Sequence, residues 1–104
     1  MRSEVLKGHV DLLLLSTLRA GPLHGYGVVE KLRGLSEGEF DLAEGTVYPA
    51  LYRLEAAGLL SSSWTKAAGR CRRVYVLTRR GRGELAKGRD EWKTFAHAVE
   101  AVVT

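Results

Sequence analysis

The sequence predicts a mainly α protein with one small β-hairpin, an α+β chain of 104 residues. Three observations carry that expectation. Apolar residues recur at 3–4 spacing in three short stretches and one long one, as on the buried faces of helices. Between the third stretch and the last, the period drops to two on either side of a Gly-containing turn. The C-terminal stretch then repeats apolar residues every seven positions, on a chain too small to cover all of them with its own core.

The first helix is expected from Ser3 or Gly8 to Arg19, with Val10, Leu13, Leu14 and Leu18 as its core stripe and Gly21-Pro22 as its stop. The second runs from about His24 to Leu35 and buries Val28, Val29, Leu32 and Leu35. A polar loop, Ser36 to Asp41, follows, with Phe40 as its anchor. The third helix, about Ala43 to Ala57, buries Val47, Ala50, Leu51 and Leu54, and Gly58 supplies a left-handed C-cap. Pro49 inside it is tolerable only near the start, where backbone N–H groups lack partners. A short or distorted first turn is therefore expected, with the amides of Gly45 to Val47 exposed. Two short strands around the turn AAGR make the hairpin, and its tip, Lys66 to Arg73, holds four positive charges and no negative one. Thr78 is the expected N-cap of the last helix, Arg79 to about Val103. Leu85, Trp92 and Val99 lie seven apart, as do Phe95 and Val102, with Gly88 a hole in the seam. Gly81, Gly83 and Gly88 weaken the intrinsic propensity of this helix, so packing must hold it. A second copy of the chain is the natural partner.

Charge is unevenly placed. Residues 1–65 hold six basic and eight acidic residues, whereas residues 66–104 hold ten basic and four acidic. That asymmetry points to a polyanionic partner; a solvated face kept for solubility is the plainer alternative. One cysteine, Cys71, excludes an internal disulfide framework. No apolar run is long enough to span a bilayer and no secretory signal is visible, so a cytoplasmic location and no membrane contact are expected. No nucleophile–base set, paired carboxylates or phosphate-binding glycine loop is present, so catalysis is not expected, nor is a cofactor or metal.

Helix, helix, helix, hairpin, long helix is the order of a winged helix-turn-helix, residues 1–78, followed by a C-terminal dimerisation helix, residues 79–104. In that architecture the third helix enters the DNA major groove and the hairpin wing reaches the flanking backbone or minor groove. The stretches LHGYGVVEKL, EGTVYPALYRLEAAGLL and RRVYVLTRRGRGEL resemble the PadR family of bacterial transcriptional regulators. The resemblance spans roughly residues 8–90, and the short chain with one C-terminal helix is similar to the family's smaller subgroup. It implies a homodimeric repressor that binds a pseudo-palindromic operator in double-stranded DNA and releases it when an effector binds. A winged-helix protein-interaction module that never reads DNA is the alternative, and salt-dependent duplex binding separates the two.

Carried onto this chain, the resemblance assigns DNA contacts to Thr46 and Tyr48, whose hydroxyls suit phosphate or base edges; a core aromatic beside Pro49 is the plainer alternative for Tyr48. It assigns a backbone contact to Tyr26 beside the amides that open the second helix. Arg53 reaches a phosphate or pairs with a neighbouring acid, Glu55 among them. Lys66, Arg70, Arg72 and Arg73 crowd the wing, and strand alternation puts Arg72 and Arg73 on opposite faces. His24 is a capping residue or a contact. Cys71 among these cations admits a redox role beside the plainer reading of an incidental surface cysteine. Leu85, Trp92, Phe95, Val99 and Val102 form the expected dimer interface. The resemblance further implies, at Trp92 and Phe95, a site for a flat aromatic effector, since some family members stack such ligands on a tryptophan of this helix; Gly88 leaves space beside it. Two positions depart from the family pattern. Ala43 and Glu44 leave the third helix without its usual polar N-cap unless Asp41 substitutes, and Glu44 would repel DNA if it faced the groove.

Overall fold

The computed structural model describes Leu6 and residues 8–104; a helix start near Ser3 lies outside the described residues. The elements are α1 (Val10–Thr17), β1 (Leu23–His24), α2 (Gly25–Leu35), α3 (Glu44–Ala56), β2 (Leu60–Ala67), β3 (Arg70–Leu77) and α4 (Arg79–Val103). The hairpin is joined by a third strand. Antiparallel pairing gives the order β1-β3-β2, with Leu23 opposite Tyr75 and Leu60 opposite Leu77. Two residues are too few for alternation to register, so β1 was not expected.

Leu14, Leu15 and Leu18 from α1 and its end meet Val28, Val29 and Leu32 of α2 and Val47, Leu51 and Leu54 of α3. Leu60, Tyr75 and Leu77 close this core from the sheet. Leu35, expected inside, is 68% exposed, because the α2 stripe runs on past the end of the core. Phe40 does anchor its loop: it packs against the core while its amide donates to Ser36 Oγ at 2.9 Å.

Two of the three amides expected to be exposed near Pro49 are in fact bonded: the N–H groups of Thr46 and Val47 both donate to the Ala43 carbonyl, at 3.0 and 3.1 Å, which corrects the expectation for those two residues. Ala43 takes the N-cap position with no side-chain bond, and Asp41 does not substitute; it holds Arg33 instead, at 2.9 Å. Gly58 caps the other end at φ +82°, with Gly58 N–H donating to Glu55 O and Leu59 N–H to Leu54 O. This is the paired-bond motif that satisfies the last carbonyls of a helix.

Thr78 caps α4 as expected, accepting from Gly81 N–H at 3.0 Å and donating to the Gly58 carbonyl at 2.7 Å. The bond to Gly58 ties the start of α4 to the end of α3. Gly81 is buried against the Leu59 carbonyl, where a Cβ has no room. Leu85, expected in the dimer seam, is 5% exposed and belongs to the core of its own chain. Gly88 is not a hole in a seam either: Leu12 of α1 fills it, and a Cβ there would meet Leu12 Cδ1 at 2.9 Å. The first half of α4 is therefore committed to the core by two glycines and one leucine. Gly83 has nothing near it, and the structure does not explain it. No helix among the described residues is long and apolar enough to cross a membrane.

Candidate nucleic-acid interface

Core packing of Val47, Ala50, Leu51 and Leu54 turns the opposite face of α3 outward, where Gly45, Pro49, Tyr52 and Ala56 recur at 3–4 spacing and are exposed. Apart from Tyr52, which leans toward the wing, small residues thus occupy the centre of the outer face, and larger side chains line its edges. Tyr48 and Tyr52 form the edge toward the wing; Thr46 and Arg53 form the edge away from it. The four residues do not share one face.

On the wing side lies a groove of about 370 Å³, lined by His24, Gly25, Tyr26, Tyr48, Tyr52, Trp64, Arg70, Arg72, Arg73 and Tyr75. Tyr48 is half-buried because its ring lies on Gly25 at the start of α2, where a Cβ would collide with it. Burial first, and then the Glu44 carboxylate, push the phenol above its usual range, so it remains a proton donor at neutral pH. Glu44 therefore lies on the Tyr48 side of the helix. Interleaved aromatic and cationic side chains offer stacking faces for sugars or bases and positive charge for phosphates.

The four wing cations are not equivalent. Arg72 Nη1 donates to His24 Nε2 at 3.1 Å, and the His24 ring rests over Gly27. His24 makes no side-chain cap bond; it positions Arg72. Arg73 is on the opposite face of the strand, held by Ser62 Oγ at 2.8 Å and Glu55 Oε1 at 3.5 Å, with its guanidinium 5.5 Å from the Trp64 ring centre. Ser62 also donates to Glu55 Oε2, so the group braces the wing against α3. Lys66 and Arg70 make no ion pair or side-chain hydrogen bond among the described residues. They flank a tight turn, Ala68-Gly69, with φ of +51° and +75°. Cys71 is exposed opposite Lys66.

Arg53 pairs with neither Glu55 nor a wing residue. Its Nη1 and Nη2 donate to both oxygens of Asp11 on α1, at 2.9 and 2.7 Å. Thr46 is exposed beside it, outside the groove. Two residues of this surface escaped the sequence reading: Trp64, 66% exposed on the wing, and Asp11. The signal for Trp64 was present, since an aromatic in a strand with polar neighbours on both sides has no apolar face to join. Nothing in the sequence singles out Asp11.

At the other end, Trp92, Phe95, Val99 and Val102 are all exposed on the outer half of α4. Trp92 and Phe95 line a second cavity of about 420 Å³ with His9, Asp11, Leu12, Glu84 and Glu91. The His9 ring meets Trp92 edge-on at 5.5 Å.

Comparison with known proteins agrees with this geometry. Residues 14–87 match the family described as "Transcriptional regulator PadR-like family". The transcriptional regulator Rv3488 of Mycobacterium tuberculosis is 35% identical over 96 residues, covering 92% of this chain and 87% of that protein. A transcriptional regulator from Clostridium thermocellum superposes with a TM-score of 0.90 at 27% identity, over 100% of this chain and 99% of that one. Bacillus subtilis PadR, solved in complex with operator DNA, has a TM-score of 0.68 at 24% identity, over 75% of this chain and 45% of that one.

Proposed function

The chain belongs to the PadR-like family of transcriptional regulators, which are not enzymes, and on that premise we propose that it is a homodimeric repressor binding a pseudo-palindromic operator. The observation that carries this reading is the groove between α3 and the wing, where Tyr26, Tyr48, Tyr52 and Trp64 alternate with Arg70 and Arg72. The operator complex of the Bacillus subtilis neighbour supports DNA as the polyanion that enters it. In this reading α3 lies in the major groove. Tyr26 and Tyr48 donate to the backbone, and Lys66, Arg70 and Arg72 hold the flanking phosphates. Arg73 acts by bracing the wing. The protein works in the cytoplasm, where its DNA lies.

Two copies associate through the outer half of α4. Trp92, Phe95, Val99 and Val102 make the contact, and Leu85 stays in the core of each subunit. The C-terminal helices then set the distance between the two α3 helices, which must match half-sites about one helical turn, roughly 34 Å, apart. The cavity at Trp92 and Phe95 takes the effector, a flat aromatic molecule; Glu84 and Glu91 in its lining favour a positively charged one. Release requires that the effector bind the non-matching arrangement more tightly than the matching one.

The test is fluorescence anisotropy of the duplex upstream of the protein's own gene against a scrambled duplex, at several salt concentrations. Preference for the native duplex supports a specific regulator. Equal, steeply salt-dependent binding to both reduces the wing to a phosphate contact, and no duplex binding at all would favour the protein-interaction reading.

A further inference from the structure

On the reading that α3 enters DNA, we propose that Asp11 is a positioning residue that withholds Arg53 from the DNA backbone. Arg53 then engages only where a phosphate is placed to exchange for the carboxylate. Arg53 stands on the outer edge of α3, yet both of its terminal nitrogens point back to α1, 42 residues away in sequence. The fork geometry that grips a carboxylate also grips a phosphate, so one anion can replace the other without remodelling the arginine. Both side chains remain largely exposed, 60% for Arg53 and 46% for Asp11, which leaves the pair open to exchange. A pair so hydrated adds little to stability, and folding alone gives weak reason for it.

The surroundings of Asp11 set the cost of the exchange. Glu84 and Glu91 line the same cavity as Asp11. Removing the guanidinium leaves carboxylates facing that cavity without this cation, and a phosphate brings further negative charge close by. A poorly placed phosphate does not offset that cost, so Arg53 stays with Asp11 on random DNA. A phosphate at the right distance and angle does offset it. The pair thus lowers the affinity for non-specific duplex more than for a matched site, which raises the ratio that governs selection in a genome.

The test is the variant Asp11→Asn, which keeps the shape and one acceptor oxygen but removes the charge. Its affinity for a random-sequence duplex is read by anisotropy across a salt series. We expect binding about threefold to tenfold tighter than that of the unsubstituted protein at low salt. The slope of log affinity against log salt should steepen by about 0.9 for each protomer that gains a phosphate. In an Arg53→Gln background the same Asp11 change should do neither, because the gain acts through the arginine. Asp11→Ser serves as a second variant, with far-UV circular dichroism to verify folding. A gain that persists without Arg53 overturns the proposal and leaves Asp11 as a general repulsive charge. So does an Asp11→Asn protein that binds no tighter than its parent. If neither protein binds any duplex, the DNA-binding reading falls as well; if the parent binds and the variant gains nothing, only this proposal falls.

Discussion

The groove beside α3 and the outer half of α4 both expose aromatic rings, but in opposite company. In the groove, Tyr26, Tyr48, Tyr52 and Trp64 alternate with arginines, and several of their polar atoms already have partners. On α4, Trp92, Phe95, Val99 and Val102 follow one another at 3–4 spacing with no core behind them, and Val102 is 85% exposed. The first surface suits a hydrated, charged partner that comes and goes with salt. The second is a continuous apolar stripe that costs free energy until another apolar surface covers it. Exposure of a large side chain therefore says little by itself; its neighbours decide what kind of partner it awaits.

The comparison can be broken most directly at Val99. Val99→Asp places a charge in the middle of the apolar stripe and should weaken self-association by roughly a hundredfold or more, since a buried unpaired carboxylate is so costly. Analytical ultracentrifugation reads the mass; an unchanged dimer would show that the stripe is not the seam. Next in size is a change where the two regions meet. Gly81→Ala drives a Cβ into the Leu59 carbonyl at the junction of α3 and α4, and should cost about 2 kcal/mol, or roughly 10 °C in Tm. A calorimetric Tm within a degree or two of the parent would mean that the junction yields easily.

Smaller effects sharpen the contrast. Tyr48→Phe removes one donor from the groove and leaves its ring on Gly25. Operator affinity should fall by about 1 kcal/mol, with mass and Tm unchanged. Unaltered anisotropy would take the hydroxyl out of the contact. The smallest change concerns the wing tip, where Ala68 holds φ +51° against its preference. Ala68→Asn gives the Asn-Gly pair favoured in such turns and should stabilise the protein by about 0.5–1 kcal/mol in urea titration, without touching the dimer. A loss of stability would point to a contact of Ala68 that outweighs its backbone strain.

The architecture was largely legible in the sequence. Helical spacing, the cap at Gly58, the Thr78 start of α4 and the two-residue period of the hairpin are all local signals, and each corresponds to what forms. Groove residues were legible in part. Tyr26, Tyr48, Arg70, Arg72 and Arg73 come together as one surface, but Thr46 and Arg53 fall on another edge, and Trp64 was missed. The strand at Leu23 and His24 is too short to leave a pattern.

By itself the sequence determined most of the residues that turn inward, the caps at Gly58 and Thr78 and how charge is divided along the chain, because those depend on periods and caps only a few residues long. Tertiary structure alone decided what covers each surface. Leu85 and Val99 carry the same seven-residue signal, yet one is buried against its own subunit and the other is left exposed. Gly88 reads as a gap until Leu12 arrives from α1, and Arg53 reads as a phosphate contact or a partner of a neighbouring acid until Asp11 takes it. A period specifies a face of a helix; the partner for that face comes from residues tens of positions away, and only packing brings them together.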